Sequence, residues 1–143
     1  MAHDFIRFPE LRNSQMDQYY WSSPHKQITE DFRARVVKVH DGDTITLKVD
    51  FRDFEFPLRF LGIDTPEMNA GGKRGRDWLK DKILDADVDI LINKKQRVGK
   101  WGRLLGNVIF GGMDMGEQLI GLGMATTFEN RRPGEIPGDK SWP

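Results

Sequence analysis

The sequence predicts a chain that is mainly β with some α, in which five short strands close into a Greek-key barrel and two short helices flank it. Three observations carry this expectation. Five stretches rich in alternating or β-branched residues end in Gly, Asp or Asn punctuation. Helical spacing falls between the third and fourth stretches and again after the fifth. The order lacks the repeated strand–helix–strand units of a parallel sheet.

Taken in order, residues 1–31 mix Phe5, Ile6, Phe8 and Leu11 with polar residues before Tyr19-Tyr20-Trp21, and no periodicity is sustained. An extended arm with one helical turn is expected there. Residues 34–39 are rich in valine and end at Asp41-Gly42-Asp43, a turn signal. Residues 44–49 alternate with period two, as a half-buried strand does. Phe51-Arg52-Asp53 reads as a turn, and residues 54–61 as a third strand in which Pro57 marks an edge or bulge.

Asn69-Ala70-Gly71-Gly72 then breaks the chain before a helix with Leu79, Ile83 and Ala86 on one face. Residues 87–93 form the fourth strand, residues 94–100 a basic loop, and residues 103–110 the fifth strand. Gly111-Gly112 turns into a second helix carrying Met115, Leu119 and Leu122 at its apolar positions. This order suits a small barrel of the OB type. The domain is expected over residues 32–128, and residues 129–143, polar and Pro-rich, as a flexible tail.

Composition narrows the function classes. A chain of 143 residues is one ordinary domain. Lys plus Arg and Asp plus Glu both number 22, which excludes a polycation, so any nucleic-acid contact needs local charge separation. With no cysteine, a disulfide scaffold, a thiolate zinc site and a Cys nucleophile are excluded. No secretory signal or membrane-length apolar stretch is visible, so a soluble protein, cytoplasmic or virus-encoded, is expected.

Three segments gather polar groups at strand ends: Asp41-Gly42-Asp43-Thr44, Asp64-Thr65-Pro66-Glu67 and Gly102-Arg103. Each alone reads as a turn or a solvated strand end. Together they read differently. Asp43 and Asp64 each sit beside a strand terminus, so one end of a barrel can join them, and two carboxylates plus a backbone carbonyl suit Ca²⁺ or Mg²⁺. Arg59 lies five residues before Asp64, and Arg103 opens another strand. Two guanidiniums beside such a site suit a phosphodiester, which Arg grips bidentately. Lys94, Lys95, Arg97, Lys100 and Trp101 are candidate nucleic-acid contacts, against the plainer reading of a solvated surface. His3, His25 and His40 lack metal-ligand spacing, which argues against a His-metal nuclease.

Residues 40–44, residues 58–67 and the run Lys100-Trp101-Gly102-Arg103-Leu104 resemble the three signatures of the staphylococcal-nuclease-like (thermonuclease) family. Gly121-Leu122-Gly123-Met124-Ala125 resembles the end of that family's second helix, and the likeness covers about residues 33–126. The resemblance implies a five-stranded OB barrel and Ca²⁺-dependent hydrolysis of DNA and/or RNA, with single strands preferred. It assigns calcium to the Asp43 and Asp64 carboxylates and the main-chain oxygen of Thr65, with Asp41 holding calcium-bound water. Glu67 would position or deprotonate the attacking water, and Arg59 and Arg103 would neutralise the phosphate.

Some family features have no match. The acid that usually precedes Gly-Arg is missing from Gly99-Lys100-Trp101-Gly102-Arg103. The base-stacking tyrosines and the third helix also lack a counterpart, and a long N-terminal arm is present instead. A catalytically inactive OB-fold nucleic-acid-binding module is the alternative, but it has little reason to keep Asp43, Arg59, Asp64, Glu67 and Arg103 together. The arm either packs on the barrel, stacks an aromatic on a base, or docks on a partner chain.

Overall fold

The structure is a computed structural model that describes residues 3–99 and 102–127. Lys100, Trp101 and the expected tail of residues 129–143 therefore lie outside the described residues. Strand β1 (Phe32–Asp41) pairs antiparallel with β2 (Thr44–Lys48) on one side and β5 (Asp87–Leu91) on the other. Next to β2 lies β3 (Phe56–Phe60), and next to β5 lies β6 (Leu104–Phe110). Parallel pairing of β3 with β6, Leu58 opposite Leu104 and Phe60 opposite Gly106, closes the five strands into a barrel. Pro57 sits one residue before that pairing begins, where β3 has β2 as its neighbour, so the missing N–H is tolerated.

Three two-residue strands were too short to show a period in the sequence. They are β4 (Ile63–Asp64), β7 (Met113–Asp114) and β8 (Thr126–Thr127). β7 folds back on β6, and β4 pairs with β8, Asp64 opposite Thr126. The barrel is filled by the inward residues of each alternating strand. In β3 these are Phe56, Leu58 and Phe60, all buried. Each such side chain stabilises the fold by about 1.5–3 kcal/mol relative to exposure. No helix among the described residues is long and apolar enough to cross a membrane.

Two helices close the barrel, and each is shorter at its C-terminus than the spacing suggests. Helix α1 (Met16–Tyr19) lies in the arm, α2 (Gly72–Ile83) covers the core with Leu79 and Ile83, and Ala86 falls outside α2. The chain leaves the helix because Asp85, at φ 63°, donates its N–H to Val36 O of β1, and Ala86 O accepts from Val36 N–H. Helix α3 (Met115–Gly121) is capped by Asp114, whose carboxylate accepts from Glu117 N–H at 3.1 Å. Met115 and Leu119 are buried as expected, but Leu122 is 47% exposed. Gly123, at φ 75°, ends the helix in a Schellman turn, with Gly123 N–H on Ile120 O and Met124 N–H on Leu119 O. Met124 packs on the core in place of Leu122.

The arm has more helix than one turn: Asn13–Gln15, α1 and Tyr20–Ser22 follow one another without a break. Its Leu11 and Ile28 are buried. Arg52, which the sequence suggests is an ordinary turn residue, is buried instead and forms a two-pronged ion pair with Glu10 of the arm. The side chains are 0% and 1% exposed. The guanidinium also donates to Lys26 O at 3.0 Å and lies 4.6 Å from the Phe56 ring centroid.

A buried pair broken on one side leaves an uncompensated charge, whereas an exposed pair is screened by water. Glu10→Ala is expected to lower the unfolding free energy by about 3–5 kcal/mol. Arg33→Ala, which cuts the exposed Arg33–Asp89 pair, should cost about 1 kcal/mol or less. Urea denaturation at pH 7 reads both, and equal losses would contradict the assignment of Glu10–Arg52 as the arm's buried anchor.

Candidate active site

At one end of the barrel the β1–β2 hairpin turns through Gly42 and Asp43, with Asp41 opposite Thr44. A register shift in β1 just before the turn lets Asp41 accept the Asp43 N–H at 3.0 Å. Asp43 O in turn accepts from Phe60 N–H at 2.8 Å, which ties the turn to the end of β3. The loop after β4 lies directly on this hairpin. A Cβ on Gly42 would sit 2.8 Å from Thr65 Cγ2, and one on Gly72 would sit 2.3 Å from Pro66 O. Residues 64–67 are thus wedged between the hairpin and α2, in space that only glycine leaves.

The wedge brings charged groups together. Arg59 Nη2 donates to Asp43 Oδ2 at 3.3 Å and to Asp64 Oδ1 at 3.1 Å. Its Nη1 donates to Phe60 O and Ile63 O, both at 3.1 Å, so the guanidinium is held from two sides. Asp43 Oδ2 also accepts from Thr65 N–H at 3.3 Å and Thr65 Oγ1 at 3.2 Å, while Oδ1 accepts from Thr44 Oγ1 at 3.2 Å. Asp41, Asp43, Arg59, Asp64 and Thr65 therefore form one connected cluster. Its donors are all oxygen, the set a hard divalent cation prefers. Among the described residues no group of three or more His, Cys, Asp or Glu could hold a metal ion. A cation between Asp43 and Asp64 would draw the rest of its shell from water and phosphate.

Glu67 and Arg103 stand apart from this network. Glu67 is exposed, and among the described residues its carboxylate makes no hydrogen bond, while its main-chain oxygen accepts from Ala70 and Gly72 at 2.9 Å. Arg103 precedes β6 and is half-buried. Leu104 points inward, so Arg103 shares the outer face of β6 with Leu105, the residue paired with Arg59. Arg59 thus stands on β3 opposite Leu105, and Arg103 immediately precedes the neighbouring β6.

The basic loop divides. Lys94 and Lys95 are exposed, and Lys100 and Trp101 lie outside the described residues. Arg97 is not available to nucleic acid. It is 3% exposed and donates to Ile28 O, to Leu11 O at 3.0 Å and to Asn13 Oδ1 at 3.0 Å. A guanidinium fork satisfies several carbonyls at once, which lets this cation be buried where a lysine would not be. Arg52, Glu10 and the pairing of Asp64 with Thr126 also lay beyond sequence reasoning, because nothing local marks a residue whose partner is tens of positions away.

Burial dominates the electrostatics. It pushes the Asp43 carboxyl up from 3.8 to about 6, helped by the neighbouring Asp41 and opposed by Arg59. The folded chain therefore holds this proton up to about pH 6, whereas the unfolded chain releases it near 3.8. Stability from the protonated form is fully present below 3.8 and is lost as pH rises through 6. At neutral pH the ionised Asp43 is held against the cost of its burial, a cost that a nearby cation would lower.

Comparison with known proteins adds to this geometry. Residues 57–139 match the family described as Staphylococcal nuclease homologue, a span that includes Arg59, Asp64, Thr65, Glu67 and Arg103. The chain is 37% identical over 79 residues to Micrococcal nuclease of Shigella flexneri, covering 54% of this chain and 42% of that relative. It is 32% identical over 104 residues to an Uncharacterized endonuclease of Escherichia coli O157:H7, covering 71% and 65% respectively. It is 31% identical over 98 residues to Thermonuclease of Staphylococcus hyicus, covering 64% and 56%. The chain thus spans between two-fifths and two-thirds of the length of these relatives.

The raised Asp43 carboxyl gives a test that needs no substrate. Asp43→Asn removes the buried charge and keeps an acceptor for Arg59 and Thr65. In metal-free buffer it should raise stability by up to about 3 kcal/mol at pH 8 and by almost nothing at pH 4. Thermal unfolding across that range reads the difference, and a variant less stable than the parent at pH 8 would show that the charge is already compensated.

Proposed function

Because the chain belongs to the staphylococcal nuclease homologue family, we propose that it is a nuclease hydrolysing phosphodiester bonds in DNA and/or RNA by attack of water, with calcium as its metal. The observation that carries the reading is Arg59 joined to both Asp43 and Asp64 at one end of the barrel. One buried and one half-buried carboxylate with a fixed guanidinium suit a phosphate and a divalent cation better than they suit a stable fold. The family match and the printed nuclease names of its relatives support the same reading.

In this reading the carboxylates of Asp43 and Asp64 and the main-chain oxygen of Thr65 hold the ion, and Asp41 steadies its water. The ion, when bound, supplies Lewis-acid stabilisation of the phosphate. The remaining work falls to the chain itself. Glu67, solvent-facing and without a side-chain hydrogen bond among the described residues, orients the attacking water and accepts its proton. A carboxylate is a weak base towards water, so orientation is the larger part of its role. As the water oxygen bonds to phosphorus the ester P–O bond breaks, and the departing oxygen takes a proton from solvent water, leaving one phosphate and one hydroxyl end. Arg59 and Arg103 meet the charge that grows on the phosphate oxygens. Arg59 is already fixed by Phe60 O and Ile63 O and needs little reorganisation. Lys94 and Lys95 contribute charge along the strand, and a single strand, more easily bent into the cleft than a duplex, is the preferred substrate.

Digestion of single-stranded and duplex DNA and RNA with Ca²⁺, Mg²⁺ or chelator tests the reading directly. Cleavage is expected with Ca²⁺, little with Mg²⁺, whose octahedral demand suits this donor set less well, and none with chelator. Arg59→Lys, Arg103→Lys and Glu67→Gln should each lower the rate by about 10²–10³-fold with the fold intact. Full activity in excess chelator would overturn the metal assignment. Binding without cleavage under every condition would instead mark a non-catalytic nucleic-acid-binding module.

A further inference from the structure

The arm and the loop that leads to Arg103 are joined at three places. Arg97 donates to Leu11 O and Asn13 Oδ1 near one end of the arm and to Ile28 O at the other. Asn13 returns a bond from its Nδ2 to Lys94 O at 2.8 Å. At the far end of the loop, a Cβ on Gly102 would lie 2.8 Å from Phe8 Cβ and 3.1 Å from Glu10 O. The loop is closed on itself by Leu105 N–H to Arg97 O and Gly99 N–H to Arg103 O, both at 2.8 Å. Whatever fixes Arg97 and Gly102 therefore fixes the backbone on which Arg103 stands.

The arm is itself firmly held. Gln27 Oε1 accepts from Leu11 N–H at 2.7 Å, and Gln27 Nε2 donates to Pro9 O at 2.9 Å, which cross-links its two halves. The Glu10–Arg52 pair anchors it on the barrel. Gly102 adopts φ 69°, a left-handed conformation suited to glycine, immediately before Arg103.

From this we infer that the arm of residues 3–31 is a positioning element of the active site, which holds the Arg103 loop against the barrel through Arg97, Asn13 and the Phe8–Gly102 contact. The inference rests on the proposed catalytic role of Arg103. Arg97 is a positioning residue: it touches no substrate and acts through the loop. Its side chain holds both ends of the arm from the loop at once, which no single lysine or alanine does.

The test uses the full chain and a fluorogenic single-stranded DNA with Ca²⁺. Arg97→Lys keeps the charge but cannot span Leu11, Asn13 and Ile28. Measured well below its melting temperature, it should lower kcat by about 10–100-fold, the scale of an ångström-sized misplacement, with KM within about twofold. In an Arg103→Lys background the same change should cost less than about twofold, because the misplaced group is already impaired. Should Arg97→Lys fail to fold, Asn13→Ala, at an exposed position, loses two of the loop contacts and should show the same non-additivity with a smaller fall in kcat. A folded variant with wild-type kcat, or losses that multiply with Arg103→Lys, would overturn the inference while leaving the nuclease reading intact. Wild-type activity in Arg103→Lys alone would instead remove the catalytic role on which it rests.

Discussion

Closure of the barrel by β3 on β6 is the constraint from which the site follows. The pairing is parallel, so it cannot be made by a hairpin and must wait for the whole segment between Phe60 and Leu104 to fold around it. Once made, it sets Arg59 beside the strand that Arg103 immediately precedes. The hairpin turn at Gly42 and the short β4 then meet above the same strand. Neither meeting is favourable on its own account. Each brings carboxylates out of water, and the packing of Phe56, Leu58 and Phe60 beneath them offsets that cost.

The Glu10–Arg52 pair and the cluster around Asp43 are built on opposite principles. Glu10 and Arg52 balance each other's charge one to one, although among the described residues the buried Arg52 Nε has no hydrogen-bond partner. Around Asp43 one arginine serves two carboxylates, and Asp41 adds further negative charge nearby. Burial raises the Asp43 carboxyl instead of lowering it, the mark of a group whose compensation is incomplete. The first system is structural and closed. The second holds its Asp43 carboxyl raised by burial and by the neighbouring Asp41.

The sequence made the barrel legible because strand alternation is a local property, visible in residues 44–49 or 87–91 without knowing their partners. The candidate site was legible for a related reason: Asp43, Arg59, Asp64 and Thr65 lie at strand ends within 23 residues, so their meeting needs only one hairpin and one turn. Arg97 shows where such reasoning stops. In the sequence it is one more cation in a basic loop, and its burial is decided by carbonyls 69 and 86 positions away. Leu122 fails differently. Its i+7 spacing continues the helix, but Gly123 ends the helix by conformation, and a period count does not register that. Glycines 42 and 72 are legible as turn residues, whereas their tight contacts with the loop of residues 64–67 are tertiary.

The grip of Arg97 on both ends of the arm also bears on the order of folding. The arm is synthesised before the barrel, yet its carbonyls at Leu11 and Ile28 find their donor only after residue 97 has emerged. Until then Leu11 and Ile28, apolar and destined for burial, have no finished surface to cover. The arm therefore docks only once residue 97 is in place, in the same step that brings β6 onto the barrel. Completion of the arm and completion of the active-site loop are, on this geometry, one kinetic event.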